Sequence, residues 1–183
     1  MTTLGSLWLP ILLSAVFVFL VSSVVHMVLQ IHKRDYGRIP DEDGILNALR
    51  GKVPPGQYMF PWAGSMQEWK SPEMQEKWKR GPLGTLIVRR ECTMGKPLMQ
   101  WFVFCLVIGV FVGYLTGLAK GPGAPEVFRV ATTVAFLGHG FTSVCDSIWK
   151  GVNWSTTAKF VLDGVIYALT TGATFAWLWP QAA

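Results

Sequence analysis

Ionisable side chains lie inside three long apolar stretches of this chain, where such groups are rare. His26, His139, Asp146 and Asp163 are the residues concerned, and imidazoles and carboxylates can bind protons or metal ions. Counted from the predicted inner helix ends, three of them lie about four or five residues deep, so at 1.5 Å per residue they share one level. The full predicted polar cluster is His26, His139, Ser143, Asp146, Asp163 and Tyr167.

This predicted cluster has three interpretations. In the first, each aspartate only holds a lysine at the membrane surface, because Asp146 and Lys150, like Lys159 and Asp163, are four residues apart. In the second, the cluster is a proton or cation site inside a membrane protein. In the third it binds a metal or haem, but no HExxH or ExxH spacing supports this. From the spacing we predict no metal and no cofactor.

Four apolar segments must position these side chains. Residues 7–31, 98–119, 127–149 and 158–179 each reach the length of about 20 residues that spans a bilayer. The chain is 51% hydrophobic and only 15% charged, against about 25% charged in soluble domains. We therefore predict an all-α integral membrane protein with four transmembrane helices in a bundle.

Basic residues are concentrated between the first two apolar segments. Twelve of the sixteen lysines and arginines lie between Lys33 and Lys96, which predicts a long basic cytoplasmic loop between helices 1 and 2. The predicted organisation is an outer N-terminus with the first helix (1–31), the loop (32–97) and a three-helix membrane unit (98–183). Both termini are then outside.

The same charge distribution bears on partners and location. Basic residues beside a membrane favour binding of anionic lipid headgroups, and we predict no binding of nucleic acid. Docking of a partner protein on the loop is the alternative. The last stretch, residues 163–180, resembles small bacterial membrane proteins of unassigned function, so we expect a bacterial cytoplasmic (inner) membrane.

Small residues recur every four positions in the second and fourth apolar segments. This spacing lets helices approach closely inside a membrane, and it predicts packing surfaces rather than ligand sites. The predicted packing residues are Gly109, Gly113, Gly117, Gly164, Ala168 and Gly172. Two such surfaces are more close-packing surface than one isolated bundle evidently requires, which favours a membrane-protein partner or self-association.

The loop and the last helix carry local structural signals. Ser71 and Pro72 predict the start of a helix over residues 71–80, and a shorter helix is predicted after Pro40. The apolar patch 83–88 is either a strand or a segment on the surface. Ser155 or Thr156 is the predicted cap of the last helix.

Catalytic motifs are missing from the sequence. GxSxG and Walker A patterns are absent, and residues 138–140 are only a fragment of GxGxxG. Our first hypothesis is therefore a non-enzymatic accessory subunit of a membrane complex, or a homo-oligomer. The alternative is a proton- or cation-coupled transporter or channel that uses His26, His139, Asp146 and Asp163, and a metal or haem carrier comes third.

Overall fold

The computed structural model describes residues 3–90, 93–119 and 123–180. Most of these residues are helical, and the chain divides into two compact units. The helical unit comprises Met1–Tyr36 and Thr93–Ala183, and the loop unit comprises Gly37–Cys92. The prediction of an all-α protein is supported, with one two-stranded sheet as the exception.

The first long helix changes its winding along its length. A 3-10 turn, Leu4–Leu7, leads into α1, Trp8–Ser23, which continues as a π-helical turn, Val24–Leu29. Pro10 lies in the first turn of α1, where its missing N–H is tolerated. The helix ends at Gln30, whose φ of 49° is left-handed and therefore turns the chain away from the helix axis.

The described part of the loop unit contains three short helices and a two-stranded sheet. They are α2 (Glu42–Leu49), β1 (Gly56–Phe60), α3 (Met66–Trp69), α4 (Pro72–Arg80) and β2 (Gly84–Val88). The strands pair antiparallel, with Gly56 opposite Val88 and Phe60 opposite Gly84. The predicted start of α4 is confirmed, because the Ser71 side chain accepts a hydrogen bond from the Met74 backbone N–H. Of the two alternatives for residues 83–88, the strand is observed.

The remaining chain forms two long helices and one interrupted segment. They are α5 (Gly95–Gly117), α6 (Ala124–His139), a 3-10 turn (Phe141–Ser143), α7 (Val144–Lys150) and α8 (Trp154–Leu178). Among the described residues, three helices are long and apolar enough to span a membrane: Leu4–Leu29, Gly95–Gly117 and Trp154–Leu178. The described chain does not confirm four spans, and a continuous helix over 127–149 is wrong.

The interruption follows Gly140, which has weak helix propensity. It also lies against the backbone of α8: a Cβ added at Gly140 would stand 2.9 Å from the Cα of Gly164. The Ser143 hydroxyl donates to the Gly140 carbonyl over 2.6 Å and so provides a hydrogen bond for this carbonyl where the helix is interrupted. The predicted cap of α8 is also wrong, because Asn153 accepts the hydrogen bond from the Ser155 N–H.

The interrupted segment runs antiparallel to α8 from Thr132 to Ser147. Thr132 meets Gly172, Gly140 meets Gly164, and Ser147 meets Thr157, so each step forward in one segment matches an equal step back in the other. Glycine positions bring α1 and α5 together in the same way, with Gly109 against Ile11. Buried apolar side chains of the first long helix, α5, α6 and α8 form the core, among them Leu7, Val112, Val127, Ala131, Ala135, Ala168 and Phe175.

Candidate cation site

Two histidines are brought together where the first long helix ends. His26 lies in the π-helical turn, and its Nδ1 donates to the Ser22 carbonyl over 3.0 Å. The left-handed Gln30 then reverses the chain, and a turn hydrogen bond joins the Asp35 N–H to the His32 carbonyl. As a result the His32 ring stacks on the His26 ring, with centroids 4.8 Å apart and planes 9° apart.

Asp163 on α8 faces both histidines. It is only 2% exposed, and its Oδ2 lies 2.8 Å from His32 Nε2 and 3.9 Å from His26 Nε2. The other oxygen, Oδ1, is buried and has no hydrogen-bond partner among the described residues. An ionised carboxylate is costly to bury unless it is paired, so the two imidazoles account for its position.

Asp35 and Lys159 hold His32 from its other side. One Asp35 oxygen accepts from His32 Nδ1 and the other from Lys159 Nζ, each over 2.5 Å. Burial by itself would raise the pKa of the Asp35 carboxyl group. The hydrogen bonds and positive charges of Lys159 and His32 outweigh it and hold that pKa below its ordinary value. Phe160 covers the outer face of the His32 ring, with centroids 4.7 Å apart.

We call the set His26, His32 and Asp163, with the supporting pair Asp35 and Lys159, the His–Asp cluster. It contains two of the six residues of the predicted polar cluster, His26 and Asp163. Sequence reasoning missed His32 and Asp35 as site residues because both follow the end of the apolar segment. The spacing of three residues between His32 and Asp35, which can bring two side chains together across a turn, is the sequence signal that could have identified them.

Asp146 lies outside the His–Asp cluster. Its carboxylate pairs with Lys150 over 2.6 Å, and both side chains are exposed. This agrees with the first interpretation, in which each aspartate only holds a lysine. The matching prediction for Lys159 and Asp163 is wrong, because Lys159 pairs with Asp35 and Asp163 with His32. The two aspartates therefore differ in kind, and only Asp163 belongs to a buried group.

His139 and Tyr167 belong to a second group around Trp101. The ring centroid of His139 lies 5.7 Å from that of Trp101 and 5.8 Å from that of Tyr167. Trp101 in turn donates its indole N–H to the Ser22 hydroxyl over 3.0 Å. Ser143 is occupied by its bond to Gly140. These predicted residues thus lie in the bundle beside the His–Asp cluster.

The predicted packing residues lie against neighbouring helices of the same chain. A Cβ at Gly113 would meet Leu7 at 3.2 Å, and a Cβ at Gly172 would meet Thr132 at 2.0 Å. Ala168 is buried in the core, whereas Gly117 is the last residue of α5 and is half-buried. The small residues other than Gly117 thus contribute to packing within one chain.

The arrangement can bind a positive ion. One ring nitrogen of His26, one of His32 and a carboxylate oxygen of Asp163 all lie within 4.8 Å of one another. The prediction of no metal rested on ligand spacing along the sequence, and that test does not detect ligands contributed by two distant segments. Comparison with models of known protein families, with curated proteins and with solved structures finds no match to this chain.

Proposed function

We propose that this chain is a non-enzymatic integral membrane protein that binds and conducts a cation, and that the His–Asp cluster is its binding site. The observation that carries the proposal is Asp163, a buried carboxylate on an apolar helix that faces two histidines. Ionisable groups in membrane helices are expensive, and they mark ion pathways and proton relays in many membrane proteins. If Asp163 served only to pair with a lysine, an exposed pair like that of Asp146 and Lys150 would be sufficient.

Polar groups continue along α8 beyond Asp163, and they support conduction rather than binding alone. Tyr167, Thr171 and Thr174 follow at helical spacing and are buried. The Tyr167 hydroxyl and the Thr116 hydroxyl on α5 have no hydrogen-bond partner among the described residues. Buried polar groups without partners are uncommon, and hydroxyl groups of this kind can pass a proton or coordinate a moving cation.

The proposal includes a fourth, interrupted crossing. α6, the 3-10 turn and α7 together match α8 in antiparallel register from Thr132 to Ser147, which supports a crossing of similar depth. Four crossings would place both termini outside and the basic loop 32–97 in the cytoplasm, in agreement with the positive-inside rule. A bacterial cytoplasmic membrane and contact of the loop with anionic headgroups belong to the same proposal.

The hypothesis of an accessory subunit or homo-oligomer stays a prediction. It rested mainly on an excess of small-residue surface, but Gly109, Gly113, Gly164 and Gly172 all contact helices of their own chain. These small residues therefore give less reason to expect a partner. Nothing in the described part of these helices favours a partner over lipid.

The test uses the full-length protein reconstituted into liposomes that contain a pH indicator or a metal-sensitive dye. Asp163→Asn keeps the shape of the side chain and removes its charge, and Asp146→Asn makes the same change at the exposed pair. We expect Asp163→Asn to lower cation flux by about tenfold or more, since a hydrogen bond to a charged group is worth about 1.5–3 kcal/mol. Asp146→Asn should leave the flux unchanged. Equal flux in both variants would reject the proposal.

A further inference from the structure

We propose that the His–Asp cluster is a site for a divalent transition-metal ion of the zinc class, with His26, His32 and Asp163 as its protein ligands. This inference rests on the proposed function in that it names the cation. Two imidazole nitrogens and one carboxylate oxygen suit zinc, cobalt or nickel, whereas magnesium and calcium prefer oxygen ligands alone.

The separation of the ligand atoms suits a tetrahedral ion. Zinc bonds to histidine nitrogen and carboxylate oxygen are about 2.0–2.2 Å long, so ligand atoms around a tetrahedral ion stand about 3.3 Å apart. The Oδ2 atom of Asp163 lies 2.8 Å from His32 Nε2 and 3.9 Å from His26 Nε2. These distances bracket the tetrahedral value, but the lone pairs of two stacked rings lie in nearly parallel planes. The half-exposed ring of His26 must therefore turn for both Nε2 atoms to face one ion.

Both imidazoles are held from behind in the way that metal ligands are, although their rings are stacked with planes 9° apart. His26 Nδ1 faces a backbone carbonyl, which only accepts hydrogen bonds, so this nitrogen carries a proton and Nε2 presents its lone pair. His32 Nδ1 faces the Asp35 carboxylate and its Nε2 faces the Asp163 carboxylate, which both only accept. Both nitrogens therefore donate in this structure, and a metal ion would take the place of the proton at Nε2. Histidine ligands of metals are held in this way by a carbonyl or a carboxylate behind the ring. Lys159 fixes Asp35 in turn.

The unpaired oxygen of Asp163 also favours a bound cation. Its Oδ1 is buried without a partner among the described residues, although such an atom normally has one. A metal ion at Oδ2 would neutralise the carboxylate as a whole and so reduce the cost of burying Oδ1. The two histidines and one aspartate also leave one position open for water. The side chain of His26 is 45% exposed, so its ring has room to turn toward an ion.

The test measures metal binding by the purified full-length protein in detergent. Zinc chloride is titrated by calorimetry, and cobalt chloride is used as a spectroscopic probe because tetrahedral cobalt absorbs visible light strongly. We expect one zinc ion per chain and a tetrahedral cobalt spectrum, with magnesium chloride giving no heat. Asp163→Asn and His32→Gln should abolish both signals, and Asp146→Asn should change neither.

Asp35→Asn tests the support behind His32, which is not itself a ligand. We expect zinc affinity to fall about 10–100-fold, with the stoichiometry unchanged, because loss of such a support typically has this effect. Unchanged zinc binding in Asp163→Asn and His32→Gln would overturn the inference, as would an octahedral cobalt spectrum.

If zinc does not bind but Asp163→Asn still lowers proton flux, the inference fails and the proposed function stands. If zinc binds and no cation crosses the liposome membrane, the proposed function fails instead.

Discussion

Replacement of Gly164 by alanine should destabilise the helical unit more than the same change at Gly172 or Gly95. A Cβ at Gly164 would lie 2.2 Å from the Cα and 2.6 Å from the N of Gly140. Carbon atoms in contact normally stand about 3.5–4.0 Å apart. The obstructing atoms are backbone, so α8 and the turn after α6 must separate by more than about 1 Å.

The magnitude follows from comparison with the two other glycines. Added methyl groups in packed cores cost about 1–3 kcal/mol, and occasionally more, and we expect Gly164→Ala to reach at least the upper part of this range. At Gly172 the closest atom is a side-chain oxygen of Thr132, which has no hydrogen-bond partner in the described chain and can rotate away. At Gly95 no atom of the described residues lies within 4 Å, so alanine should be neutral.

The assay is the free energy of unfolding of each variant in mixed detergent micelles. The expected order of destabilisation is Gly164→Ala, then Gly172→Ala, then Gly95→Ala. Combining Gly172→Ala with Thr132→Ala should restore part of the loss at Gly172, because the obstructing hydroxyl is removed. Equal stability of Gly164→Ala and Gly95→Ala would show that α6 and α8 do not meet at the glycine pair.

Three further changes test other parts of the structure. Trp101→Phe removes the hydrogen bond to Ser22 and should lower the free energy of unfolding by about 0.5–1.5 kcal/mol, measured in the same micelles. Gly151→Ala places a side chain at a φ of 70° with no described atom within 4 Å, so it should cost about 1–2 kcal/mol of backbone strain alone. The pKa of Asp35 is lowered in the folded protein, so its stabilisation is complete above the ordinary aspartate pKa and is lost as the pH falls through the depressed value. Thermal unfolding followed with decreasing pH should therefore show a shallower decline for Asp35→Asn than for the unchanged chain.

Local signals predicted much of the fold. Long apolar runs located the three described helices that are long and apolar enough to span a membrane, since hydrocarbon imposes a minimum length. Ser71 and Pro72 located the start of α4, because capping depends on adjacent residues alone. The interruption after His139 was missed, because it depends on the contact of Gly140 with Gly164 in another helix.

The sequence predicted correctly only those site residues whose position follows from their depth along a straight helix. His26 and Asp163 met that condition and lie together. Asp146 did not, because a 3-10 turn with about three residues per turn changes the direction of every side chain after it. His32 was missed because the left-handed conformation of Gln30 brings it back to the bundle. Lys159 has a suitable neighbour in sequence, but a residue from a distant segment binds it instead.

The interruption of the third apolar segment also bears on how the chain enters the bilayer during synthesis. α6 has 16 residues and covers about 24 Å at 1.5 Å per residue, short of a hydrocarbon core about 30 Å thick. We expect the translocon to release α6 and α7 into lipid only together with α8, as a helical hairpin. Nascent chains that end before Trp154 should therefore leave residues 124–150 open to protease, and chains that extend through Leu178 should protect them.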